Sequence, residues 1–139
     1  MLLGLRVAEE PLQVTKLNSL GQPIWQKELR ETVVQEGKRT GSCVAALTVL
    51  TNGDPLVACV IAKDNTITLF QLSSQTGASA RRSIQLPSPP SNCDEWLSPV
   101  HFMRQTADGG VWIFGSPSPG VQNCTWLGQI SQTHLPRAQ

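Results

Sequence analysis

Two stretches decide the architecture: LTNGDPLVACV at residues 50–60 and TADGGVWIFGS at residues 106–116. Each runs from an apolar or Thr-ended segment into a tight turn, Asn52-Gly53-Asp54 or Asp108-Gly109-Gly110, and then into a short apolar strand. Gly, Asn and Asp tolerate the positive φ that hairpin connections need, so both stretches read as β-hairpins. The two turns lie 56 residues apart, as do Val44 and Val100, and Gly21 and Gly77. Such a shared offset points to an internal repeat.

Working outward, the same grammar fills the chain. VTKL (14–17), IWQKEL (24–29), CVAALTVL (43–50), LVACVIA (56–62), TITLFQL (66–72), SIQL (83–86), VHFM (100–103), VWIF (111–114) and TWLGQI (125–130) are short and rich in β-branched or aromatic residues. Turn residues separate them, and no window carries a helical period. VTKLNSLGQPIWQKEL (14–29) parallels TLFQLSSQTGASARRSIQL (68–86), a strand leading through a Ser-containing turn to Gly21 or Gly77 and into another strand.

The fold expected is therefore all-β, with antiparallel four-stranded, blade-like units of about 56 residues forming an incomplete β-propeller. The units are a partial one at 12–30, a full one at 43–86 and a partial one at 100–131, in a single all-β region spanning 1–139. Both ends fall inside a unit, which favours a portion of a longer repeat protein. A β-sandwich is the alternative; it would accommodate the nine strands in two layers but leaves the repeat unexplained, and the Cys…Trp…Cys spacing of an immunoglobulin domain is missing. Two polar connections, 30–42 and 86–99, join the units; Pro87, Pro89 and Pro90 keep regular structure out of the second.

These phrases resemble the blade repeats of bacterial β-propeller-like proteins, whose units carry a DGG turn and a KLDSxGNxxW-type hairpin. The matching residues here are Asp108, Gly109, Gly110 and Gly115 for the first motif, and Lys16, Leu17, Asn18, Ser19, Gly21 and Trp25 for the second. The middle unit departs from both, with Asn52-Gly53-Asp54 for DGG, Cys59 for Gly115 and Arg81 for Trp25. The resemblance covers residues 12–131 and implies an architecture, often on secreted or cell-surface proteins, rather than an activity.

Chemistry-bearing patterns are sparse. No GxSxG elbow, HExxH pair or phosphate-binding GxxxxGK[ST] loop occurs, so no catalytic residues, cofactor or metal are assigned. Asp94, Glu95, His101 and Asp108 are near in sequence, but Asp108 is better explained as a turn residue bonded to its own backbone. Asp54, Asp64 and Asn65 border neighbouring turns without the spacing of an EF-hand. Cys43, Cys59, Cys93 and Cys124 form no CxxC; buried free thiols are the first expectation and one or two disulfides the second. Asn123-Cys124-Thr125 is a glycosylation acceptor only along a eukaryotic secretory route.

The four tryptophans carry more information. Trp25, Trp112 and Trp126 lie on strands, where large rings fill the gaps between packed sheets; Trp96, in the Pro-rich connection, is the candidate stacking platform for a sugar or peptide. Arg104, with Thr48 and Thr51, could face a central channel. Gly21, Gly53, Gly77, Gly109 and Gly110, with Asp108, are the structural turn residues.

With 11 Lys plus Arg against 10 Asp plus Glu, scattered and not interleaved with aromatics, neither nucleic acid nor anionic lipid is an expected partner. The start MLLGLRVAEE breaks at Arg6 and meets Glu9 and Glu10, too short for a signal peptide or a membrane span. The function expected is a non-enzymatic structural or protein-binding module, whose partner is a protein or further repeat units. A fragment of a propeller enzyme or carbohydrate-binding protein is the alternative, and a truncated gene product a second one.

Overall fold

The computed structural model describes residues 2–6, 12–29, 34–35, 38–39, 44–61, 66–85, 100–115 and 126–137. Within them every regular element except one 3-10 turn is a strand. In chain order these are β1 (Leu2–Arg6), β2 (Leu12–Leu17), β3 (Pro23–Leu29), β4 (Val34–Gln35), β5 (Lys38–Arg39), β6 (Val44–Val49), β7 (Pro55–Ile61), β8 (Thr66–Leu72), β9 (Ser79–Gln85), β10 (Val100–Gln105), β11 (Val111–Gly115) and β12 (Trp126–Ile130).

Within each sheet the strands form a meander in which each pairs antiparallel with the next. Sheet orders are β1-β2-β3, β6-β7-β8-β9 and β10-β11-β12, with β4-β5 as a separate two-stranded hairpin. Two elements differ from the sequence expectation. The opening LLGLR is a strand, paired along β2 from Leu2 opposite Leu17 to Arg6 opposite Gln13. The first polar connection is not wholly irregular, since Val34 pairs with Arg39 and Gln35 with Lys38. The second connection lies outside the described residues.

Side-chain alternation determines how the sheets stack. In β7, Leu56 and Ala58 join one buried cluster with Ala46, Ile67 and Leu69, and with Met103, Val111 and Ile113 of the β10-β12 sheet. The intervening Val57 and Cys59 join a second cluster with Phe70 and Leu72, and with Val14 and Leu29 of the β1-β3 sheet. The four-stranded sheet is therefore the middle layer of three, buried on both faces, which is why CVAALTVL, LVACVIA and TITLFQL read as nearly continuous apolar runs. A two-layer sandwich would leave one face of that sheet in water.

The buried polar side chains among the described residues, Thr68 and Gln71, have hydrogen-bond partners. The buried Thr68 hydroxyl lies 3.1 Å from Ser83 Oγ on the neighbouring strand. A buried polar group without a partner would cost about 1–3 kcal/mol, a penalty this pairing avoids.

The hairpins at Gly53 and Gly109 are built alike. Leu50 N donates to Asp54 O at 2.8 Å and Gly53 N to Leu50 O at 2.8 Å; 56 residues on, Thr106 N donates to Gly110 O at 2.9 Å and Gly109 N to Thr106 O at 3.0 Å. Gly21, Gly53, Gly77 and Gly109 all hold positive φ, between 73° and 89°. That conformation costs residues with a Cβ about 1–2 kcal/mol, so glycine is the residue the turns require.

Candidate functional site

The hairpin ends of the first two sheets are joined by polar and aromatic contacts. Trp25, on β3, lays its ring against Gly77 in the β8-β9 turn, so closely that a Cβ at Gly77 would stand 2.9 Å from two ring carbons. Trp25 Nε1 donates to Ser74 O at 3.1 Å, and Lys16 Nζ donates to the same carbonyl. Asp54 holds that turn from within its own sheet, accepting from Ser74 N at 2.9 Å and from Gln71 Nε2 at 3.0 Å. Lys16 and Trp25 join the two sheets, and Asp54 braces the turn that receives them.

A second junction ties the middle sheet to the last. Gln105 at the end of β10 accepts from Thr51 N at 2.6 Å and donates to Gly109 O at 3.2 Å, so one amide spans the two equivalent turns. In its own turn Asp108 accepts from Gly110 N at 3.0 Å and from Thr106 Oγ1. The Thr106 hydroxyl first, then the Gly110 amide, hold the Asp108 carboxyl below the ordinary carboxylate range. Asp108 is exposed, and its charge is taken up by the turn.

The chain end folds back over these layers. A 3-10 turn at Gln132–His134 follows β12, Leu135 enters the cluster between the middle and last sheets, and Arg82 Nη1 donates to Thr133 O at 3.0 Å. His134 Nδ1 lies 2.6 Å from Ser131 Oγ and 3.4 Å from Thr133 Oγ1. This imidazole closes the turn that carries it. Among the described residues no three His, Cys, Asp or Glu side chains come together as a metal site.

The remaining feature is the outer face of the last sheet. Trp112, Phe114 and Leu127 are 38%, 36% and 63% exposed. The register sets Arg104 opposite Trp112 on one side, and Gln129 opposite Trp112 and Leu127 opposite Phe114 on the other. Trp112, expected from the sequence to fill a gap between packed sheets, is instead exposed, and among the described residues no further sheet covers the side of β11 from which it projects. Arg104 is exposed on the same face rather than gathered with Thr51, whose turn is engaged by Gln105 instead.

Other sequence candidates are placed only in part. Trp96, with Asp94 and Glu95, lies outside the described residues, as do Asp64, Asn65 and the Asn123-Cys124-Thr125 acceptor; Trp126 and His101 stand on β12 and β10. The cysteine expectation is corrected at Cys59, which is disulfide-bonded rather than a free thiol. Sequence spacing alone could not reveal this, because pairing depends on which strands become neighbours. Among the described residues no helix is long and apolar enough to cross a membrane.

No protein-family model, no curated protein and no solved structure matches the chain.

Proposed function

We propose that the chain is a non-enzymatic structural or protein-binding module, a stack of β-propeller-type units that presents a sheet face to a protein partner. The observation that carries this reading is the exposed group Trp112, Phe114 and Leu127 on the last sheet. The positions 56 residues earlier, Leu56 and Ala58, are buried against a neighbouring sheet, and so is Leu69, which pairs with Ala58 as Leu127 pairs with Phe114. Hydrogen-bond equivalence of the 50–54 and 106–110 turns supports the same view. Lys16, Trp25 and Gln105 at the sheet junctions are engaged in joining layers, which leaves this face, among the described residues, as the surface with most to gain from a partner.

The test is site-specific photo-crosslinking in the native host. A photoreactive side chain at Leu127 gives a crosslinked polypeptide, and the same group at Gln26, on the opposite end of the stack, does not. A carbohydrate-binding protein would use the Trp112 ring as a stacking platform instead. Binding to a glycan array that is lost in Trp112→Ala, with no polypeptide crosslinked at Leu127, would replace the proposal with that reading.

A further inference from the structure

We propose that the free edge of β12 takes a fourth strand from a partner: an extended, proline-free polypeptide segment that pairs antiparallel along Trp126–Ile130. The inference rests on the protein-binding reading above and names how the partner engages the last sheet.

The middle sheet supplies the template. Its β7-β8 pair sets Val57, Ala58 and Cys59 opposite Phe70, Leu69 and Thr68. The β11-β12 pair repeats that register, with Ile113, Phe114 and Gly115 opposite Gly128, Leu127 and Trp126, so β12 is the counterpart of β8. In the middle sheet β8 has a neighbour on each edge, since β9 pairs with it at every position from Thr66 to Leu72. β12 ends its sheet, and among the described residues no strand lies on its second edge.

The composition of β12 is that of an inner strand. Edge strands are ordinarily protected by charges or proline, which oppose pairing with a foreign strand. The outer strands of the other two sheets follow that rule: β3 (PIWQKEL) carries Pro23, Lys27 and Glu28, and β9 (SARRSIQ) carries Arg81 and Arg82. β12 (WLGQI) has neither a charge nor a proline, like its covered counterpart β8 (TITLFQL). Backbone N–H and C=O groups on the outer side of such a strand call for partners, and another strand supplies them in register.

The segment after β12 does not fill the place. It turns through Gln132–His134, where Thr133 O accepts from Arg82 Nη1 of β9 at 3.0 Å, and Leu135 enters the cluster between the middle and last sheets. Its backbone bonds among the described residues, His134 N to Ser131 O and Leu135 N to Gln132 O, stay within the segment.

Strand addition draws its affinity from main-chain bonds and needs no broad apolar patch, which suits a sheet whose exposed side mixes Trp112 and Leu127 with Arg104 and Gln129. Burial alternates along β12, with Leu127 and Gln129 exposed and Gly128 and Ile130 half-buried. A partner residue opposite Leu127 therefore projects on the exposed side, where an apolar side chain covers Leu127.

The test is an NMR titration of the full chain with the peptide SARRSIQ, the β9 sequence, acetylated and amidated, as the incoming strand. The expected result is a shift of the β12 amides, with slowed exchange of alternate ones and no change in β10. N-methylation separates main-chain pairing from side-chain docking. Of two peptides methylated on alternate amides, one binds at least about tenfold more weakly than the unmodified peptide, and the other binds within about threefold of it. Two methylated peptides that bind alike, β12 amides unshifted by peptide at about 2 mM, or alternate β12 amides already protected in the chain alone would each overturn the proposal. Shifts of those amides on concentrating the chain alone would give the edge to a second copy and overturn it equally. A polypeptide crosslinked at Leu127 in the native host alongside any of these failures removes the strand addition and leaves the protein-binding module; no crosslink and no peptide binding removes both.

Discussion

Gly77→Ala is predicted to destabilise the protein far more than Gly21→Ala, although both glycines sit in hairpin turns at nearly the same φ, +73° and +78°. The backbone part of the effect is shared: an alanine held in the left-handed region costs about 1–2 kcal/mol relative to glycine. The packing part is not. At Gly21 a Cβ meets nothing within 4 Å, whereas at Gly77 it meets Cδ2 and Cε3 of Trp25 at 2.9 Å. The ring cannot withdraw freely, because its Nε1 is bonded to Ser74 O in the same turn. Relieving the overlap requires losing that bond, about 1 kcal/mol, or straining the layer contact by about 1–3 kcal/mol. Gly21→Ala should thus cost about 1–2 kcal/mol and Gly77→Ala about 2–5 kcal/mol. Urea unfolding followed by circular dichroism gives both values, and in a Trp25→Leu background the cost of Gly77→Ala should shrink to that of Gly21→Ala. Equal costs in the original background, or an excess that persists without Trp25, would refute the packing between these two sheets.

Other predictions address the remaining junctions. Asp54→Ala leaves the Ser74 amide and the Gln71 side chain without their acceptor and should cost about 1–3 kcal/mol in the same unfolding assay; a loss under about 0.3 kcal/mol would argue against those bonds. Gly110→Ala would place a Cβ 2.8 Å from Ile130 O on the facing strand; the expected destabilisation is about 1–3 kcal/mol, read as a lowered urea midpoint. Asp108 has a carboxyl held below its ordinary value by Thr106 and Gly110, so its stabilising effect is present above an unfolded pKa of about 3.9 and is lost as pH falls through the lower folded value. The stability gap between the native protein and Asp108→Asn, measured by urea unfolding at a series of pH values, should hold at neutral pH and close in acid; a gap that widens in acid would reverse the assignment.

How far the sequence reveals this structure depends on whether the deciding interaction is local. The turns at Gly21, Gly53, Gly77 and Gly109 are legible because positive φ is a demand made by a few adjacent atoms, and the strands beside them follow from short β-rich runs. β1 is less legible: LLGLR is too short and too uniformly apolar to show a period, and it becomes a strand because β2 supplies hydrogen-bond partners. The β4-β5 hairpin hides in a polar stretch for a similar reason. The open face is the clearest case of a non-local determinant. Alternation in VWIFG separates Trp112 and Phe114 from Val111 and Ile113, but which pair is covered depends on the sheet beyond. The stacking of Trp25 on Gly77 joins residues whose positions in the repeat are legible, while their contact across two sheets is not. Cys59 is bonded for reasons of spatial proximity that its sequence neighbours do not carry.

Native-state hydrogen exchange distinguishes a three-layer stack, with its four-stranded sheet buried on both faces, from a two-layer one. Amides of β7 and β8, which hold Leu56, Val57, Ile67 and Leu69 at 2% exposure or less, should exchange most slowly and only through global unfolding. Amides of β11 and β12, beside the open face, should exchange faster by local opening. A two-layer arrangement would instead protect the last sheet as well as the middle one, and slowest exchange in β11 and β12 would contradict the stack.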